Sequence, residues 1–208
     1  MSIFITFEGV EGSGKTTQLK RLGEHLRAAG RTVVETREPG GTPAGVAIRS
    51  LLLSDPPIAL APSAELLLYL ADRAQHVAER IQPALAAGEI VLCDRFSDST
   101  IAYQGFARGL DLERVRDIDA YARAGLVPDL TFLLDVDPGI GLRRVQARAG
   151  ASDRFEAAPL AFHERVRRGL RELAAAAPER VCVVDATAPV DEVARRIAAE
   201  ADRMLGAR

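Results

Sequence analysis

The sequence predicts an α/β fold, a five-stranded, mostly parallel sheet with helices on both faces, and three observations carry that expectation. Five short runs rich in Val, Ile, Leu and Phe are spaced along the chain. Each is nearly continuous in apolar residues, as strands covered on both faces by helices are. Helix-length stretches separate them, and such β/α alternation builds parallel sheets.

The elements follow in order. Strand Ile3–Phe7 leads through a glycine-rich turn into a helix over Thr16–Ala29. Strand Thr32–Glu35 precedes helices over Pro43–Leu53 and Ser63–Ala86. Strand Ile90–Cys93 precedes a helix over Ser99–Ala124, and strand Leu130–Val136 a helix over Pro138–Arg148. An exposed excursion over Gly150–Pro159 then leads to helix Leu160–Ala176, strand Val181–Val184 and helix Val190–Leu205. In helix Ser63–Ala86 an apolar stripe of Leu66, Leu70, Ala74, Val77 and Ile81 has the spacing of a buried face.

The chain of 208 residues, 48% apolar and 27% charged, has the proportions of one globular domain, 1–208. A net charge of −2 offers no general attraction to nucleic acid or a membrane surface. No apolar run approaches the ~20 residues of a membrane span, and no basic-then-apolar leader is visible, so a cytoplasmic protein is expected. Cys93 and Cys182 cannot form a disulfide framework and read as buried, inert thiols. His25, His76 and His163 share no metal-ligand spacing and read as surface residues. Lysine occurs only at 15 and 20, and asparagine is absent.

Gly9-Val10-Glu11-Gly12-Ser13-Gly14-Lys15-Thr16 fits G-x-x-x-x-G-K-[ST] between the first strand and the first helix. In that context backbone N–H groups and the helix dipole face phosphate oxygens, the lysine reaches the β- and γ-phosphates, and the hydroxyl ligates Mg²⁺. The expected fold is thus that of P-loop nucleotide-binding proteins. A GTPase needs an Asn/Thr-Lys-x-Asp motif, which two lysines at 15 and 20 cannot supply. The chain is too short for the further modules of motors and helicases, which leaves a small kinase.

Asp94-Arg95 ends the third strand, at the sheet edge where ligands gather, so Asp94 suits Mg²⁺ and Arg95 an acceptor phosphate. Asp135 and Asp137 compete for the metal role. Tyr69 and Arg73, at i and i+4, project to one side, as a stacking ring and a hydrogen-bonding guanidinium for a planar base would. Arg143, Arg144, Arg148 and Arg154 form a basic segment, a lid over about 143–157, suited to charge developing in phosphoryl transfer.

Four ordered signatures together resemble the bacterial thymidylate kinase family. They are Phe7–Thr17, Thr36-Arg37-Glu38-Pro39-Gly40-Gly41-Thr42, Asp94-Arg95-Phe96 with Ser99 and Ala102-Tyr103-Gln104-Gly105, and Asp153-Arg154-Phe155-Glu156. The resemblance implies transfer of the γ-phosphate of ATP to dTMP, giving dTDP, with Mg²⁺ at Thr16 and Asp94. It implies that Tyr69 stacks on thymine, where the family usually has Phe. It places Arg73 and Thr100 at the base edge, Tyr103 against the sugar 2′ position, and Arg95 with Arg37 at the monophosphate. Glu11 would approach the acceptor nucleotide, with Ser99 and Gln104 also in the substrate site. The P-loop lacks arginine, so Arg148 and Arg154 would join Lys15 and Arg95 in catalysis, with Arg144 behind them. The loop Asp185–Pro189 would lie beside adenine. A homodimer is implied by the resemblance alone, and the second signature admits a cis Glu38–Pro39 bond. A kinase for UMP or CMP, and a non-catalytic P-loop regulator, remain as competing readings.

Overall fold

The computed structural model describes residues 2–54, 58–147 and 158–206. The expected lid arginines Arg148 and Arg154, and the signature Asp153–Glu156, lie outside them. Five parallel strands, β1 (Ile3–Glu8), β2 (Val33–Arg37), β3 (Ile90–Asp94), β4 (Leu130–Asp135) and β5 (Val181–Asp185), form one sheet in the order β2-β3-β1-β4-β5. The predicted sheet is therefore the observed one, with strand ends shifted by a residue or two.

Successive strand residues face opposite sides. Ile3, Ile5, Ile90 and Leu92 join Leu19, Leu22 and Leu26 of α1 (Lys15–Ala28) in one core. Phe4, Val91 and Cys93 join Val77, Ile81 and Ala84 in a second core. Apolar residues on both faces account for the near-continuous apolar runs.

Helices α2 (Pro43–Leu52) and α3 (Pro62–His76) follow β2. Ser63–Ala86 is one helical path, but it contains a π-helical stretch, Val77–Ile81, before α4 (Gln82–Ala86). Gln82 N–H donates to Val77, a wide turn just before Pro83, whose nitrogen has no hydrogen to donate. Ala74 is exposed, unlike its expected stripe partners Leu66, Leu70, Val77 and Ile81, which are buried.

The expected helix Ser99–Ala124 is two. Helix α5 (Ser97–Thr100) continues as a π-helical stretch, Ile101–Ala107, and α6 (Leu112–Ala122) begins anew. Gly109 sits at φ 78°, and the Asp111 side chain caps α6 by accepting from Arg114 N–H. Helices α7 (Pro138–Gln146), α8 (Leu160–Ala176) and α9 (Val190–Gly206) complete the layers. Cys93 is buried as expected, whereas Cys182 is only half-buried on edge strand β5. No described helix is long and apolar enough to cross a membrane.

Candidate active site

The phosphate loop links β1 to α1. Gly12 has φ 70°, and a Cβ there would come 2.0 Å from the Gly141 carbonyl oxygen, so the position requires glycine. Gly14, at φ 94°, occupies the N-cap of α1. The Val10 side chain belongs to the core, which leaves its backbone for the loop. Lys15 Nζ is folded back over the loop, donating to Gly9 O at 3.0 Å, Val10 O at 2.9 Å and Ser13 Oγ at 3.4 Å. Burial, reinforced by the Arg95 charge, lowers the Lys15 pKa to about 8.

Strand pairing sets the other side of the loop. Phe7 of β1 lies opposite Asp94 of β3, bringing Asp94 and Arg95 beside Gly9–Thr16. Thr16 Oγ1 donates to Asp94 Oδ2 at 2.5 Å. Both are hard oxygen donors at a phosphate loop, which suits Mg²⁺. Of the competing carboxylates, Asp135 is held by Arg167 at 2.7 and 3.0 Å, and Asp137 caps α7 through Gly139 and Ile140 N–H. Neither has the geometry of Asp94. Among the described residues no cluster of three His, Cys, Asp or Glu could hold a metal by itself.

Arg95 adopts a left-handed backbone, φ 71°, rare for a side chain of this size. Its guanidinium donates to Gly9 O and Ser99 Oγ, both at 3.1 Å, and to Glu11 Oε1 at 3.0 Å. It also lies 4.9 Å from the centre of the Tyr103 ring. Tyr103 OH donates to the same Glu11 oxygen at 2.5 Å. Burial opposes ionisation of Glu11, but the hydrogen bond from His163 and the charges of Arg95 and Lys15 hold its pKa well below the usual carboxylate range.

Glu8 supports this arrangement from beneath. Its Oε1 accepts from Phe96 N–H at 2.8 Å, and its Oε2 lies 2.5 Å from Ser99 Oγ. Burial, with the nearby Asp98 charge, pushes the Glu8 carboxyl up to about 7. Ser99, expected among the substrate contacts, is thus engaged between Glu8 and Arg95.

Tyr69 and Arg73 both reach the cleft, as their spacing predicts. Arg73 is almost fully buried at 2% exposure, where a lone surface arginine would be the commoner outcome. Its Nε donates to Glu38 Oε2 at 2.9 Å and its Nη1 to Thr100 Oγ1 at 2.9 Å, and Asp119 takes a further short contact. Arg37 is exposed on the rim of the cleft. Gln104 borders the cleft while its amide donates to buried Glu65 at 3.0 Å. Arg144 donates to Ala186 O at 3.0 Å, tying α7 to the loop after β5.

Sequence reasoning missed Glu38, Asp119, Glu65 and two histidines. His76 and His163 are not surface residues; both are buried, with Nδ1 2.9 Å from Glu38 and 3.0 Å from Glu11 respectively. The Glu38–Pro39 bond is cis.

One cleft of about 930 Å³ is lined by the phosphate loop together with Tyr69, Arg73, Arg95 and Tyr103. The thymidylate kinase family model matches residues 7–197. The chain belongs to the thymidylate kinase family. It is 57% identical to a thymidylate kinase of Solidesulfovibrio magneticus over 94% of this chain and 96% of that one. It is 55% identical to one of Deinococcus radiodurans over 94% of each chain. A crystal structure of thymidylate kinase from Ehrlichia chaffeensis superposes with a TM-score of 0.79 at 35% identity, covering 97% of this chain and 98% of that one. Thymidylate kinases are phosphotransferases, and a phosphate loop facing a lysine, a carboxylate and an arginine supplies what phosphoryl transfer needs.

Proposed function

We propose that this chain transfers the γ-phosphoryl group of ATP to dTMP, giving ADP and dTDP, as one kinase domain over 1–208. The observation that carries the reading is the single cleft lined both by the phosphate loop and by the Tyr69, Arg95 and Tyr103 group, room for two nucleotides placed end to end. Residues Gly9–Thr16 hold the ATP phosphates, and Ala186 and Ala188 border the cleft where adenine would rest. Thr16 and Asp94 would hold Mg²⁺, which when bound neutralises charge between the β- and γ-phosphates.

Tyr69 stacks on the thymine, with Arg73 and Thr100 at its edge and Gln104 beside it. Tyr103 crowds the sugar 2′ position, and Arg95 with Arg37 holds the monophosphate. Ser99, which lines the cleft, belongs to the substrate site and also fixes Arg95. No base is needed, because the acceptor phosphate, with a second pKa near about 6, is already mostly dianionic at neutral pH. The residues align two anions and relieve their repulsion. Arg148 and Arg154 are assigned the remaining positive charge, with Arg144 behind them.

ADP formation with Mg·ATP and dTMP, dUMP, UMP, CMP or AMP in parallel tests the reading. Strong preference for dTMP is expected. Activity centred on UMP or CMP overturns the base and sugar assignments, and no transfer to any acceptor overturns the enzyme.

A homodimer fits an exposed stripe of small and apolar residues, Leu67, Ala71, Ala74 and Ala78, at helical spacing along α3 and the π-helical stretch after it. Helices α2 and α6 pack against α3 and add exposed Leu51 and Ile118. Sedimentation should give a dimer, and Ala74→Arg a monomer.

A further inference from the structure

His163, in the first turns of α8, is buried at 0% exposure, and its Nδ1 lies 3.0 Å from Glu11 Oε2. A carboxylate only accepts hydrogen bonds, so Nδ1 carries the hydrogen. The other ring nitrogen, Nε2, is buried with no hydrogen-bond partner among the described residues. An orphaned ring nitrogen is costly, and it marks a histidine kept here for what its opposite edge does. That edge meets the one carboxylate that also receives Arg95 Nη2 and the Tyr103 hydroxyl, both on Oε1. His163 fixes Oε2, so the Glu11 carboxylate cannot turn, and Oε1 stays aimed at the guanidinium and the phenol.

We infer that His163 is a positioning residue for the acceptor nucleotide, acting through Glu11 on Arg95 and Tyr103. The inference rests on the acceptor-site assignment of Arg95 and Tyr103 made above. His163 meets the phosphate loop only at the Glu11 side chain, whose other oxygen is turned to Arg95 and Tyr103, and makes no hydrogen bond to Lys15 or Thr16, so its effect falls on the acceptor more than on ATP.

The test measures KM for dTMP and KM for Mg·ATP separately in His163→Leu and His163→Asn, with thermal midpoints recorded alongside. Leu removes the donor. Asn places its Nδ2 donor where the imidazole Nδ1 stands. His163→Leu is expected to raise the dTMP KM about tenfold, the scale of a lost hydrogen bond to a charged group, and to leave the ATP KM within about twofold. His163→Asn is expected to restore the dTMP KM to within about threefold of the unsubstituted enzyme. If the Leu variant fails to fold, His163→Phe fills the space without a donor and carries the same expectation. An unchanged dTMP KM in the donor-less variant overturns the proposal, as does an equal rise in both KM values or an Asn variant no better than Leu. An unsubstituted chain that transfers nothing to dTMP overturns the acceptor reading itself, and the proposal with it.

Discussion

Thr16 Oγ1 and Asp94 Oδ2, 78 residues apart in sequence, meet at 2.5 Å where the first turn of α1 faces the end of β3. The hydroxyl and the carboxylate form the oxygen pair to which Mg²⁺ is assigned. Asp94→Asn keeps the shape and removes the charge. Turnover should fall on the order of 10²-fold, and the Mg²⁺ concentration for half-maximal activity should rise. Activity measured across a Mg²⁺ series checks this, and an unshifted midpoint would place the metal elsewhere.

Lys15 carries a pH signature. Burial lowers its pKa to about 8, so its charge is lost as pH rises through that value. A neutral amine cannot offset phosphate charge. kcat/KM for ATP should therefore decline above about pH 8, and a profile flat to pH 9.5 would contradict this. Lys15→Ala should abolish turnover while leaving the circular dichroism spectrum unchanged, since the side chain supports only the loop carbonyls Gly9 and Val10 and the Ser13 hydroxyl.

Arg73 holds two buried carboxylates, those of Glu38 and Asp119. Burial disfavours its charge, but the two acids outweigh that and raise its pKa. Removing the guanidinium leaves Glu38 with His76 and Asp119 with Arg123 but takes the main positive charge from both buried acids. Arg73→Ala should cost about 3–5 kcal/mol in urea unfolding, beyond any loss of base recognition. A loss under about 1 kcal/mol would show that His76 and Arg123 suffice to hold the two acids.

Glu8 makes stability depend on pH in an unusual direction. Its folded pKa of about 7 lies above the ordinary 4.5, so between those values the folded chain binds the extra proton. Its contribution to stability is therefore present at low pH and lost as pH rises through about 7. Glu8→Gln keeps an acceptor for Phe96 N–H without the charge. The thermal midpoint of the variant should fall less between pH 5 and 8 than that of the unsubstituted chain, by a few degrees at about 2–4 °C per kcal/mol.

The sheet was legible because its strands are short runs rich in apolar residues, and the central three, β1, β3 and β4, are buried on both faces, whereas edge strands β2 and β5 are only partly covered. The phosphate loop was legible because its glycines, lysine and threonine are contiguous. The helix end at Gly109 and the new start at Asp111 carried a local signal, a glycine followed by an acidic cap, inside an otherwise helical pattern. The buried histidines had none. His76 and His163 owe their burial to Glu38 and Glu11, 38 and 152 residues away, and no local spacing announces a partner at that distance. The same holds for Arg73, whose second acid, Asp119, lies 46 residues on.

Glu11 is bound by Arg95, Tyr103 and His163, at sequence separations of 84, 92 and 152 residues. Closing loops of that length is slow compared with forming a helix, so these contacts come after the helices, and the His163 contact needs nearly the whole chain. During synthesis the phosphate loop and its first helix leave the ribosome well before the partners that orient Glu11. The proposed acceptor side of the cleft is complete only when α8 has emerged and docked. A nascent or refolding chain can therefore acquire its helices before Glu11 is held by all three partners. Recovery of activity in refolding should accordingly lag the recovery of helical signal.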